Sequence, residues 1–179
     1  MPGDDLIGPG ALVRTRAITI ATPPSDVWPW LVQLGWGRAG WYSIDAVERV
    51  VGAARSVDAD GRVSWRSLTS IVDEHQDLAV GDTVPLLADV GFDVVALDKP
   101  RHLVLRFAAG GLAMVWSLVL VDHGEACRLV VRTSFEGDGP LHAVLARVAL
   151  DPGHAIMELV QLRGVRRRAE GWDAGERRA

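Results

Sequence analysis

The chain has 179 residues, 49% of them hydrophobic, one cysteine and a formal net charge of −4. This length suits one domain that buries roughly 70% of the surface its unfolded chain exposes, so its stability requires neither a metal nor a disulfide. The acidic balance argues against nucleic acid as the main partner. A lone Cys127 excludes an intramolecular disulfide and fits a reducing compartment, and no apolar run reaches the ~18–20 residues of a membrane span.

The first residues, MPGDDLIGPG, carry acidic groups and glycines where a signal peptide needs positive charge followed by an apolar block. They are expected to be a flexible lead, residues 1–11, on a cytoplasmic protein. A strand is predicted over Leu12–Ala21 and a helix over Pro24–Gln33. Pro at a first helical position is well placed because that N–H has no intrahelical partner. Val27, Trp30, Leu31 and Leu34 recur at i, i+3, i+4 and i+7 and make one apolar stripe. Pro29 inside the segment removes a backbone bond and shortens or kinks the helix. A second helix is predicted over Tyr42–Val51, with Ser43 as N-cap and Gly52 as the stop.

Asp58-Ala59-Asp60-Gly61 is a turn signal. Residues 62–72 read as a strand or as a loop holding a short strand. Gly81-Asp82 precedes a strand Thr83–Leu86. Four β-rich runs follow, Phe92–Leu97, His102–Phe107, Leu112–Val121 and Cys127–Phe135, with short turn-rich connectors that favour antiparallel neighbours. Gly137-Asp138-Gly139-Pro140 ends the pattern. Leu141–Leu150 reads as helix, and Asp151-Pro152 as an N-cap with Pro at the first helical position. From Pro152 to about Glu170, Ala155, Leu159, Leu162, Val165 and Ala169 are assigned to one apolar face. Arg163, Arg166, Arg167 and Arg168 near that helix's end complement its macrodipole. Residues 171–179 read as a frayed tail. Strands in series followed by a terminal helix imply an α+β layer structure.

Three stretches carry a family resemblance. The opening AITIATPPSDVWPWLVQLGWGRAGWYS, a strand, two prolines and a helix, is one. The string Gly40-Trp41-Tyr42-Ser43 with Asp45 is the second. The third is the terminal run Asp151-Pro152-Gly153-His154, Met157-Glu158, Leu162, Gly164-Val165 and Arg167-Arg168-Ala169-Glu170. Together, over residues 14–170, these resemble the START/SRPBCC superfamily, which includes the birch-pollen allergen, and its actinobacterial polyketide cyclase/dehydratase-like branch. The resemblance implies a helix-grip fold. A curved antiparallel sheet wraps round a long C-terminal helix, with two short helices after the first strand, in one domain over residues 12–170. It further implies a ligand cavity between sheet and helix, roughly 300–1,000 Å³ by the usual size of such sites. Lys99 as the sole lysine, with abundant Ala, Gly and Val, resembles a high-GC bacterial composition.

Strand alternation sorts the cavity wall. On the last strand, Cys127, Leu129, Val131, Thr133 and Phe135 face inward, and Arg128 and Arg132 outward. On Leu112–Val121 both faces are apolar: Met114, Trp116 and Leu118, or Val115, Ser117 and Val119. Leu103, Leu105 and Phe107 set His102 and Arg106 outward. The candidate ligand contacts are Trp41, Met114, Trp116, Leu129, Val131, Thr133, Phe135, Leu159 and Leu162.

Three groups are candidates for acid–base chemistry: Tyr42, Asp45 and Glu158. Tyr42 and Asp45, three apart on the predicted second helix, with Glu48 three further on, present a phenol and carboxylates on one face. At a cavity they would donate and accept protons in an enolisation or dehydration. The alternative is that the acids sit on the surface and Tyr42 packs. Glu158 lies at the edge of the terminal helix's apolar face. There it reaches the cavity with its pKa raised by desolvation, or pairs with an arginine of the sheet. His154, one turn earlier, is within i, i+4 of it. Asp73, Glu74, His75 and Asp77 are too close in sequence to converge on a metal and read as a solvated loop. With no Gly-rich phosphate loop, GxSxG, CxxC or HExxH, no metal or cofactor is expected. Two functions remain. One is a carrier or sensor for a hydrophobic small molecule. The other is a cyclase/dehydratase-like enzyme that works mainly by orienting its substrate. Either leaves a homodimer open.

Overall fold

The computed structural model describes residues 1–44, 50, 54–139 and 151–176, with side chains from 155 to 171 in the last stretch. Strand β1 is Leu12–Ile20 and helix α1 is Pro24–Val32, with a short hairpin of β2 (Ser56–Val57) and β3 (Val63–Ser64) beyond. Then come β4 (Thr83–Leu87), β5 (Val90–Asp98), β6 (His102–Ala109), β7 (Leu112–Asp122), β8 (Cys127–Gly137) and helix α2 (Asp151–Glu176). The order β1-β8-β7-β6-β5-β4 makes one six-stranded sheet, antiparallel at every step. This is an α+β helix-grip arrangement, with α2 against the sheet and α1. The predicted strands form within a few residues of their predicted ends, because the alternation and the turn residues specify both face and length.

Alternation sets the two faces of the sheet. Leu103, Leu105, Trp116, Leu118, Leu120, Leu129 and Val131 are buried in one cluster with Val27, Trp30 and Leu31 of α1 and Leu162, Val165 and Ala169 of α2. That is the inner face, and it resolves β7: Met114, Trp116 and Leu118 point inward. Val104, Val115 and Ser117 lie on the opposite face and are buried as well. Their cover is the N-terminal segment. A Cβ on Gly3 would lie 2.8 Å from Val104 Cγ1 and 3.1 Å from Ser117 Oγ. Ser117 Oγ donates to Pro2 O at 2.5 Å, Arg132 pairs with Asp4 at 2.6 Å, and Gly8 N–H donates to Glu136 at 3.1 Å. The expected flexible lead is therefore docked on the sheet. The predicted tail is shorter too, since α2 continues to Glu176.

The burial expected of Leu159 is corrected here: it is 42% exposed. The face that α2 buries is Glu158, Gln161, Leu162, Val165 and Ala169. Leu159 follows Glu158 by about 100° round the helix and turns to solvent. A polar pair, Glu158 and Gln161, occupies the place the apolar spacing gave to Leu159.

Candidate functional site

The turn Trp41–Ser43 positions the site, and it is not helical. Tyr42 has φ 58°, a left-handed conformation unusual for a bulky residue. The second helix predicted from Tyr42 therefore does not include it, and Asp45, with Glu48, lies outside the described residues. Three contacts hold the turn against α2. Gln161 Nε2 donates to Trp41 O at 2.9 Å, Ser43 Oγ donates to Met157 O at 2.9 Å, and Arg168 lies 4.2 Å over the Tyr42 ring. Gly164 makes the approach feasible, since a Cβ there would lie 2.2 Å from Tyr42 O.

The left-handed step sends consecutive aromatic rings to different neighbours. Tyr42 packs edge-on to Trp30, and its hydroxyl accepts Gln33 Nε2 at 2.6 Å. Gln33 also accepts Val72 N–H at 3.1 Å, so this end of the core is a buried hydrogen-bond knot. Burial pushes the Tyr42 phenol well above its usual value. Trp41 instead joins Trp116 at 5.8 Å and Phe92 at 6.1 Å between ring centroids. Phe92 continues to Trp116 at 5.9 Å and Phe107 at 6.1 Å.

Sheet register orders the inner face into rows. One row is Arg14, Thr133, Trp116, Leu105 and Val94; the next toward the β6–β7 turn is Leu12, Phe135, Met114 and Phe107. The first is buried over Thr133, Trp116, Leu105 and Val94. In the second, Leu12, Met114 and Phe107 stay partly exposed although they face inward, and Phe135 is 8% exposed. Leu129 and Val131 lie deeper, fully buried.

Glu158 is inserted above these rows. It is 2% exposed, accepts a hydrogen bond from Thr133 Oγ1 at 2.8 Å and is bound by Arg16. Of the two alternatives read for it, pairing with a sheet arginine is the one present. Arg16 was not singled out in sequence, nor was Arg14, which shares its face. The signal was there: Leu12, Ile18 and Ile20 have the same parity, and residues 12, 14, 16 and 18 alternate as the less exposed set along β1. Tyr42 and Glu158 thus belong to different contact sets, and the side chain of His154 lies outside those described.

Elsewhere, Arg38, His75, Asp77 and Asp82 line a surface cleft of about 210 Å³. Arg38 donates to Val32 O and His75 O, both at 2.8 Å, and desolvation holds the His75 pKa below its usual value. Among the described residues no three His, Cys, Asp or Glu side chains converge as metal ligands, and no helix is long and apolar enough to cross a membrane. Cys127 is buried, and burial pushes its thiol up to about 11.

This architecture is a helix-grip fold. Among solved structures, the chain is similar to the Zhui aromatase/cyclase of Streptomyces sp. R1128, at 16% identity and a TM-score of 0.51, covering 89% of this chain and 94% of that one. It is also similar to protein CV1439 of Chromobacterium violaceum, at 12% identity and a TM-score of 0.51, covering 89% and 98%. No family model matches the sequence, and no curated protein matches it either.

Proposed function

We propose that this chain binds a hydrophobic, aromatic small molecule between the inner face of the sheet and α2. One observation carries the reading. Leu12, Met114 and Phe107 face inward yet remain partly open, directly beside the buried rings of Trp116, Phe92 and Trp41. An apolar wall with a few placed polar groups is the usual make-up of a small-molecule site. The ligand contacts are Trp41, Met114, Trp116 and Phe135, with Leu129, Val131, Thr133 and Leu162 behind them. Leu159, being solvent-facing, drops out. The aromatase/cyclase named above puts polyketide-like polyaromatics in the panel to be tried.

The test is a panel of polycyclic aromatics and acyl lipids, read by tryptophan fluorescence and melting temperature. At least one aromatic should quench the emission and raise the melting temperature. Met114→Trp, which fills the open row, should weaken that binding roughly tenfold or more with the fold intact. A panel in which nothing binds would remove this reading.

An enzymatic reading rests on a separate observation, the carboxylate of Glu158 buried at the site's edge with Arg16 and Thr133. Here Glu158 is the acid–base group, and Tyr42 and Asp45 are secondary candidates. For any ligand that is turned over, Glu158→Gln should lower turnover ~10²–10⁴-fold while binding is kept. Unchanged turnover would leave the carrier reading alone.

A further inference from the structure

Among the described residues, the indole N–H groups of Trp41 and Trp116 have no hydrogen-bond partner, although each residue is only 4% exposed. Buried donors are nearly always paired, and an exception asks for a cause. Their rings are 5.8 Å apart, so both donors belong to one aromatic cluster. The neighbouring polar side chains are turned to one another. Thr133, beside Trp116 in the register, donates to Glu158, which Arg16 also binds, and neither accepts from an indole N–H. The backbone carbonyl of Trp41 is taken by Gln161. Elsewhere in the same core the Gln33 amide does find a partner, donating to the Tyr42 hydroxyl.

The partly exposed row of Leu12, Met114 and Phe107 borders this cluster, Phe107 through Phe92 and Met114 two residues from Trp116 on the same face. A ligand seated there meets flat aromatic walls on which a planar ring system packs well. It also meets two desolvated donors. A pure hydrocarbon would leave both unpaired, whereas a carbonyl or phenolic oxygen on the ring would accept from one or both. Sites built around buried donors reject analogues that lack the acceptor. We infer that the ligand is a planar aromatic bearing an oxygen acceptor, such as an aryl ketone or quinone, and that Trp41 and Trp116 are the specificity-determining donors that read it. The inference rests on the binding reading above and names the ligand class for that site.

The experiment compares fluorene with 9-fluorenone, which share shape and differ by one carbonyl oxygen. Both are titrated into the full chain by calorimetry, with ¹H–¹⁵N spectra of the indole groups recorded alongside. Fluorene is the more hydrophobic, so a preference for the ketone cannot come from burial of apolar area. The ketone should bind about tenfold or more tightly. The Trp41 and Trp116 indole cross-peaks should shift with it and stay nearly still with fluorene. Trp116→Phe should weaken ketone binding by a larger factor than fluorene binding, so that the preference shrinks; should that variant not fold, the wild-type cross-peaks decide alone. Equal affinities, or a ketone preference with unmoved indole signals, would overturn the donor assignment and leave the cavity reading standing. Binding of neither probe, nor of any other aromatic, would remove the cavity reading and this inference with it.

Discussion

Tyr42 and Cys127 both hold their protons more tightly in the folded chain than in the unfolded one, and burial is the first cause in each case. As pH rises, the unfolded state therefore loses these protons first, and deprotonation pulls the equilibrium toward it. The stability tied to them is complete below about pH 8, where both states keep both protons. It falls as pH passes the unfolded thiol value, near 9, and then the unfolded phenol value, near 10. Unfolding free energies from urea melts between pH 7 and 11 should drop, by about 2 kcal/mol for the thiol alone. Cys127→Ala should flatten the curve between pH 9 and 11, where the folded thiol titrates at about 11. Tyr42→Phe should flatten it above pH 10, while costing about 1 kcal/mol at neutral pH through the lost Gln33 bond. A curve unaffected by either change would show that neither group titrates differently in the two states. Tyr42 also shows what sequence could not supply. The helix reading depended on spacing, whereas one positive φ at Tyr42 separates its ring from that of Trp41 and assigns each to a different neighbourhood.

Helix α2 is the element where spacing was most misleading. Its residues allow two stripes with i, i+3, i+4 spacing, and the apolar one through Leu159 looked better than the one through Glu158 and Gln161. The buried stripe is chosen by partners on other elements: Arg16 and Thr133 for Glu158, and the Trp41 carbonyl for Gln161. Leu162→Ala, at a residue 3% exposed, should cost ~2–5 kcal/mol. Leu159→Ala, at 42% exposure, should stay within about 0.5 kcal/mol. Gly164 and Gly171 make a sharper contrast. Gly171 has open space where its Cβ would be, so Gly171→Ala should gain up to about 1 kcal/mol from helix propensity alone. Gly164→Ala receives the same propensity but meets Tyr42 O, and should lose about 2 kcal/mol or more net. Thermal melts of the four variants check all of this. Equal behaviour of the two glycines would mean that α2 does not rest on the Tyr42 turn. The strands were far more legible, because period-two alternation and turn residues are local signals. Thus β6 and β8 revealed their inner faces from sequence. The two-sided apolar pattern of β7 did not, and its physical reason lies at the level of the whole chain.

Both faces of the central sheet are covered, by different parts of the molecule. The inner face meets α1, α2 and the Trp41 turn; the outer face, at Val104, Val115 and Ser117, meets the N-terminal segment. A strand buried on both sides needs apolar residues on both sides, which is why β7 carries no alternation to read. The same division separates stability from ligand binding. The outer cover contacts Val104, Ser117, Arg132 and Glu136, on the face opposite the row through Leu12, Phe135, Met114 and Phe107, and the proposed site lies across the sheet from it. Deleting residues 1–8 would expose Val104 and Val115 and break the Arg132–Asp4 and Ser117–Pro2 contacts. The expected loss is about 2 kcal/mol, from the apolar area returned to water. Affinity for an aromatic ligand should change less than about twofold, since sites without shared partners act independently. Chemical denaturation and calorimetric titration of the truncated chain measure the two quantities separately. A truncation that leaves stability untouched would mean the segment does not cover the sheet in solution. One that abolishes binding at unchanged fold would place the ligand on the outer face, against the reading of the inner rows as its wall.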